Sequence, residues 1–450
     1  MKETQRSAII STKLQRIAKL AKDRRGEPLT TLAHHIDIDW LHEAYRRTRK
    51  DGAKGVDGRS AKQYARRLGS NLQGLLERAR SGTYRAPPVR RVHIPKGDGS
   101  QTRPIGIPTF EDKVLQRAVA MVLETVYEQE FLDCSYGFRP KRGAHQALEE
   151  LREVAMQMRG GWVVEVDIRK FFDTIDHRQL MTILRQRIRD GELLRLVSKW
   201  LHAGVLEGTE LHRPGMGTPQ GGVISPLLAN VYLHDVLDTW FVRDVRPRLR
   251  DWAELVRYAD DFVIVCANEH DARRVLEVLP KRFGKYGLTL HPEKTRLVAF
   301  RRPFLDGRRD RKRTGSFDLL GFTHYWRRSR KGSWVVYRKT AKDRLARSLR
   351  RVAEWCSANR HLPIKQQRKA LAQQMRGHYE YFGITGNSES ISTFCHQVIW
   401  TWRKWLARRS NNSTVTFDQM ALLLQRYPLP RPTIRHKYAQ RTRTPKSRMP

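Results

Sequence analysis

The chain has 450 residues, with 87 Lys or Arg against 46 Asp or Glu and a formal charge of +41. That excess excludes an ordinary enzyme of small metabolites as the default reading and points to a polyanionic partner, nucleic acid or an acidic membrane surface. No stretch approaches the roughly 20 apolar residues of a membrane-spanning helix, and the aromatic content of 9% argues against a disordered chain.

At about 150 residues per domain the length suggests about three domains. The N-terminus lacks an apolar core with a cleavage site, so no signal peptide is expected. Cys134, Cys266, Cys356 and Cys395 form no C-x-x-C pair, which predicts reduced, partly buried thiols and no zinc framework.

In chain order, Leu14, Ile17 and Leu20 predict a first helix, with a second around Trp40 to Arg47. The turn Gly55-Val56-Asp57-Gly58 precedes a helix from about Ser60 to Ala79. Alternating Val92, Ile94, Ile105 and Ile107 predict a hairpin over Val89 to Pro108, with its loop at Gly97-Asp98-Gly99. Helices from about Glu111 to Gln129 and Gly143 to Met158 flank the loop Ser135 to Pro140. A strand, Trp162 to Ile168, is followed by helices up to about Ala203.

Further on, Thr218-Pro219-Gln220-Gly221-Gly222 precedes an apolar helix over Leu227 to Leu237, and two short strands flank Ala259-Asp260-Asp261. A helix, Glu269 to Tyr286, leads to a small strand pair from Leu288 to about Phe322. From Thr340 onward the pattern is helical. Residues 301–450 hold 35 Lys plus Arg against 8 Asp plus Glu, a balance of +27, and Arg431 to Pro450 reads as a poorly ordered tail.

Two acidic features carry the chemistry. Strand alternation sends Val163, Glu165 and Asp167 to one face, away from Val164, Val166 and Ile168. Alone, Asp167 reads as a solvated strand end or a helix cap, and Asp260-Asp261 as turn formers. Adjacent aspartates in a tight turn nevertheless repel unless a cation or base offsets them. Two strand-borne carboxylate sites in so basic a protein fit a two-metal phosphoryl-transfer centre, and so a nucleic-acid polymerase.

The ordered blocks Gly55 to Gly58, Ile94-Pro95-Lys96 with Arg103 to Pro108, Ser135 to Pro140, Asp167 to Asp173, Pro219 to Gly222, Tyr258 to Asp261, Gly287 to Leu290 with Lys294-Thr295, and Leu319 to Phe322 resemble the reverse transcriptases of bacterial group II introns, the intron maturases. The resemblance implies an α+β right-hand polymerase: an N-terminal helical extension over 1–85, fingers and palm with an antiparallel catalytic sheet over 86–325, an α-helical thumb/maturase domain over 340–405 and a basic tail over 406–450.

It further implies that Asp167, Asp260 and the Ile168 carbonyl hold two Mg²⁺, with Mn²⁺ as a substitute, and that Asp261 supports or joins them. Lys96 and Arg103 would clamp the incoming dNTP, Gln220 would contact its sugar or the template, Lys294 would neutralise phosphate charge, and Phe172 would lie under the sugar. Adjacent Phe171 and Phe172 cannot share one strand face, so at most one of them gates the sugar; the resemblance selects Phe172.

Arg344, Arg347, Arg350 and Arg351 repeat at about one-turn spacing, giving a basic stripe for a duplex backbone. Trp400, Trp402 and Trp405 read as thumb core rather than a stacking platform. After Ser410 there is one histidine, His436, and no cysteine, so no His/Cys nuclease is expected, nor an RNase H module.

The implied activity is RNA-templated DNA synthesis tied to intron splicing and mobility. The partners would be an RNA template, intron RNA, a DNA primer or target, and dNTPs, with no membrane, in a bacterial cytoplasm associated with nucleoid or ribonucleoprotein. The sequence leaves the oligomeric state open. It also leaves open a free-standing reverse transcriptase in DNA repair or phage defence, and a maturase acting mainly as an RNA chaperone.

Overall fold

A computed structural model of the chain describes residues 2–96, 101–212, 215–218, 221–303, 314–409 and 414–437. Helices α1 (Lys2–Asp23), α2 (Ile38–Arg47), α3 (Ala61–Ala65) and α4 (Leu68–Ser81) lead into strands β1 (Val89–Lys96) and β2 (Gln101–Ile107). Helices α5 (Phe110–Tyr127) and α6 (Ala144–Gln157) precede β3 (Trp162–Asp167), the short α7 (Phe171–Thr174), α8 (His177–Arg187) and α9 (Gly191–Leu201). Strands β4 (Val205–Glu207) and β5 (Glu210–His212) come next, then α10 (Ser225–Leu233), which continues in π-helical turns over His234–Thr239 and Phe241–Val245. Strands β6 (Ala253–Tyr258) and β7 (Asp261–Cys266) are followed by α11 (Glu269–Gly284) and strands β8 (Arg296–Ala299), β9 (Phe317–Leu319), β10 (Phe322–Arg328) and β11 (Trp334–Thr340). The chain then turns helical with α12 (Lys342–Ala358), α13 (Ile364–Phe382), α14 (Ser388–Leu406) and α15 (Phe417–Arg426).

The chain divides into two compact units, residues 1–147 with 164–297 and residues 148–163 with 298–450. Residues 1–85 therefore cluster with most of residues 86–297, and 298–325 with the helical segment, so the compact units cut across the segments expected from sequence.

In the first unit β1 and β2 form the expected hairpin, with Ile94 opposite Arg103, inside a sheet of order β2-β1-β4-β5. The expected loop at 97–99 lies outside the described residues. A second sheet, of order β6-β7-β3-β8, brings the Asp167 strand beside the Asp260–Asp261 hairpin. Its strands are apolar because both faces are covered: Val163, Val164 and Val166, and Phe262 through Val265, are all buried. Helix α5 is buried on most of its circumference, and the Trp40 indole donates to its Ala118 carbonyl at 2.9 Å. The helix expected over Ser60 to Ala79 is two, α3 with a Ser60/Gln63 capping box and α4 beginning after Arg67, whose backbone leaves the helical region.

The second unit holds a three-stranded sheet of order β11-β10-β9 and the helices α12 to α15. Strands β10 and β11 were not anticipated beyond Phe322. Val352, Leu371, Met375, Phe394, Val398 and Trp402 form the helical core. Of the three tryptophans read as core, Trp402 is fully buried and donates to Gln367 at 2.8 Å, whereas Trp400 is 53% exposed against Phe417. Residues 431–437 of the expected tail are tied down: Arg435 and His436 N–H groups donate to the Gly383 carbonyl. The tail beyond residue 437 lies outside the described residues. Among the described residues no helix is long and apolar enough to cross a membrane.

Candidate active site

Tyr258 pairs with Asp261 at the end of the β6–β7 hairpin, leaving Ala259 and Asp260 as a two-residue turn. Ala259 is left-handed at φ 57°, a conformation that lets the turn follow the twist of its strands at some steric cost. The Ser135 to Pro140 loop lies directly against this turn. A Cβ on Gly137 would sit 2.4 Å from the Ala259 nitrogen, so only glycine permits the approach.

Asp260 is brought electrostatically close to Asp167. Burial pushes the Asp260 carboxyl above the usual carboxylate range; the Asp167 charge adds to this, while its own backbone N–H, Arg103 and Arg257 oppose it. Asp167 is half exposed and pairs with Lys294, Nζ to Oδ2 3.0 Å. Asp261 opens β7 on the exposed side of the turn.

Two carboxylates and a carbonyl are hard oxygen donors that suit a hard divalent cation. Ile168 bridges Leu290, and the flanking hydrogen bonds run from Arg169 N–H to Thr289 and from His291 N–H to Asp167. That pattern directs the Ile168 carbonyl away from Leu290, leaving it available. Among the described residues no three His, Cys, Asp or Glu side chains gather as a metal-holding cluster. A cation here would therefore rest on the Asp167–Asp260 pair together with main-chain or substrate oxygens, and Asp261 does not complete a three-carboxylate cage.

The nucleotide-contact candidates are placed unevenly. Arg103 on β2 is exposed, and its charge lies near enough to oppose the rise in the Asp260 pKa. Lys96 ends β1 opposite Gln101, and its side chain lies outside the described residues, as does Gln220. The described residues before and after it make specific contacts. Thr218 N–H donates to the Phe172 carbonyl at 2.7 Å, Val223 N–H donates to the Gln116 side chain at 2.8 Å, and a Cβ on Gly221 would meet the Gly106 carbonyl at 2.6 Å. His177 touches the Gly217 carbonyl through Nε2 at 2.6 Å. Phe171 is buried and Phe172 half-buried, their rings 5.3 Å apart, and both lie in the short helix α7, where the expectation of opposite strand faces does not apply.

Sequence reasoning missed Arg257. It is fully buried, and its guanidinium donates to Asp238 (2.7 and 2.5 Å), the Asn230 side chain (2.9 Å), Ser135 Oγ (2.7 Å) and the Ala259 carbonyl (2.9 Å). Burial alone would lower its pKa; Asp238 outweighs that and raises it. Asn230 also donates to the Gly137 carbonyl at 2.7 Å. One cation thus ties the loop, α10, the π-helical turn bearing Asp238 and the Ala259–Asp260 turn together. An arginine inside the apolar run Leu255-Val256-Arg257 was the available signal, since a buried charge demands a partner.

In the second unit, Arg344, Arg350 and Arg351 are exposed on α12 and Arg347 is partly buried. Arg344 and Arg347 share Asp343, at 3.5 and 3.3 Å. A single aspartate thus offsets one of the four positive charges carried by these arginines.

Residues 94–324 match the family model described as reverse transcriptase (RNA-dependent DNA polymerase). The chain is similar to protein YkfC of Escherichia coli (strain K12), 37% identical over 301 residues that cover 58% of this chain and 76% of the relative. It is also similar to the group II intron-encoded protein LtrA of Lactococcus lactis subsp. cremoris, 34% identical over 283 residues, 60% of this chain and 46% of the relative. A shorter match, 31% over 138 residues, joins it to nuclear intron maturase 4, mitochondrial, of Arabidopsis thaliana, covering 30% of this chain and 17% of the relative. The chain thus spans most of one relative and about half of another.

Proposed function

Because the chain belongs to the reverse transcriptase (RNA-dependent DNA polymerase) family, we propose that it copies RNA into DNA for a group II intron or a group II-like retroelement and binds that intron RNA to assist splicing and mobility. The observation that carries the reading is the juxtaposition of Asp167 and Asp260, one at the end of a strand and the other in a partly buried hairpin turn of the neighbouring strand.

Members of this family use divalent metal ions. Two Mg²⁺, or Mn²⁺ in their place, would be held by Asp167, Asp260 and the Ile168 carbonyl, with Asp261 as a supporting carboxylate. Bound there, the ions would activate the primer 3′-hydroxyl and stabilise the leaving pyrophosphate. Arg103 and Lys96 would orient the triphosphate, Lys294 would balance its charge, Gln220 would meet the sugar or template, and Phe172 would exclude a 2′-hydroxyl. Residues 86–325 would act as fingers and palm and 340–405 as thumb, with Arg344, Arg347, Arg350 and Arg351 on the nucleic-acid backbone. The partners would be RNA template, intron RNA, DNA primer or target and dNTPs, in a ribonucleoprotein of the bacterial cytoplasm.

Affinity and chemistry rest on different residues, which makes the reading testable. Asp260→Ala should abolish primer extension on an RNA template and leave RNA affinity within about threefold, since binding comes from the basic surface. Extension at the wild-type rate would refute the assignment of the centre.

A further inference from the structure

Residues 321–340 carry six Lys or Arg and no Asp or Glu. They form the β10–β11 hairpin, whose two faces differ completely. Phe322, His324, Trp326, Val336, Arg338 and Thr340 are buried on the inner face. The outer face presents a directly paired Tyr325 and Tyr337, both partly exposed, with ring centroids 6.2 Å apart. Lys339 Nζ lies 5.1 Å from the Tyr325 centroid and Arg327 Cζ 5.5 Å from that of Tyr337. Arg327 also meets Glu389 of α14 at 2.9 Å. At the tip, Arg328, Arg330 and Lys331 are exposed.

We propose that this outer face is a binding platform for single-stranded RNA, with unpaired bases stacking on Tyr325 and Tyr337 and their phosphates met by Lys339, Arg327 and the tip cations. The inference rests on the reading of the chain as an RNA-copying enzyme and adds a site outside the proposed catalytic centre. Two aromatic rings side by side on a sheet offer π-faces to unstacked bases, whereas a duplex keeps its bases stacked inside. The cations lie over the same rings, so a base that stacks there displaces them toward its own phosphates. The uniform sign of the hairpin complements a polyanion. The tyrosine hydroxyls and Thr323 supply partners for 2′-hydroxyls, which single-stranded DNA lacks.

The test uses the full chain and a short uridine-rich single-stranded RNA carrying 5-iodouridine, irradiated and mapped by mass spectrometry. Cross-links on the peptide holding Tyr325 or Tyr337 are expected, and Asp260→Ala should retain them. In fluorescence anisotropy, Tyr325→Leu with Tyr337→Leu should weaken single-stranded RNA binding about tenfold and RNA–DNA duplex binding by less than about threefold. Arg330→Ala with Lys331→Ala, both exposed, should lower the salt slope by about one to two. Cross-links confined to other peptides overturn the proposal, as does a folded leucine variant that binds single-stranded RNA like wild type. Equal cross-linking of single-stranded DNA, or of duplex, overturns single-stranded RNA as the occupant. The wild-type map decides even if the leucine variant fails to fold. A chain that cross-links through these tyrosines yet extends no primer refutes the polymerase reading and leaves the platform standing.

Discussion

Lys294 places its ammonium 3.0 Å from the Asp167 carboxylate, from a segment anchored by the His291 N–H donating to the Asp167 carbonyl. With the side chains 62% and 44% exposed, the pair is worth no more than about 1 kcal/mol and is easily broken. A pair held this weakly is compatible with the proposed contact between the ammonium and an incoming triphosphate.

Lys294→Ala should therefore move two constants in opposite directions. Without the competing ammonium, Asp167 should bind Mg²⁺ more tightly, lowering the concentration for half-maximal rate about two- to threefold, while the KM for dNTP rises about tenfold. Titrations of each at fixed saturating levels of the other measure this. Shifts in the same direction would show that the lysine is not shared.

Phe172 is the expected discriminator between deoxy- and ribonucleotides. Its ring is half-buried against the buried Phe171, and its carbonyl accepts from the Thr218 N–H. An unsatisfied 2′-hydroxyl against it costs about 1–3 kcal/mol. Phe172→Ala should raise ribonucleotide incorporation by about an order of magnitude in single-addition primer extension, at modest cost to dNTP use. An unchanged ratio places the gate elsewhere.

Arg257→Ala leaves the Asp238 carboxylate buried without its cation, which should destabilise the fold by about 3–5 kcal/mol in urea unfolding. Arg257→Lys keeps the charge but cannot span Asp238, Asn230, Ser135 and Ala259 together. It should fold and lose kcat about tenfold or more with little change in KM. Wild-type kcat in the lysine variant would confine Arg257 to stability.

Asp112 provides a pH signature separate from catalysis. Burial outweighs hydrogen bonds from Tyr84, Trp200 and Gln116 and holds its carboxyl at about 6, against an ordinary 3.8. The folded state therefore binds the proton more tightly than the unfolded state. Stability should rise as pH falls from about 6 to about 4, by on the order of 3 kcal/mol, and that gain should be lost as pH climbs back through 6. Asp112→Asn should flatten this slope in urea midpoints; a slope unaltered by the substitution would place the titration elsewhere.

Asp167 at a strand end was legible from local alternation, whereas Asp260 and Asp261 read together as turn formers and only Asp260 lies in the turn, Asp261 opening β7 opposite Tyr258. The difference between Phe171 and Phe172 was not legible: both lie in the short helix α7 and not on a strand, so alternation does not apply, their rings touch, and only burial separates them. The Arg257 network was not legible. Ser135 lies 122 residues before Arg257, and each partner alone is an ordinary polar residue. The β10–β11 hairpin was hidden because Trp326, Trp334 and a string of arginines obscure its period of two, and its core partners arrive from distant segments. The break between α3 and α4 turns on one non-helical arginine, Arg67, in a sequence of good helix formers.

The span of that arginine network governs when activity can arise during synthesis. The left-handed turn at Ala259 is held by groups from residues 135, 230, 238 and 257, so it is complete only after all of them have left the ribosome. Contacts of such high sequence separation form late. A nascent chain therefore carries the β1–β2 hairpin well before the Ala259–Asp260 turn can be held in place.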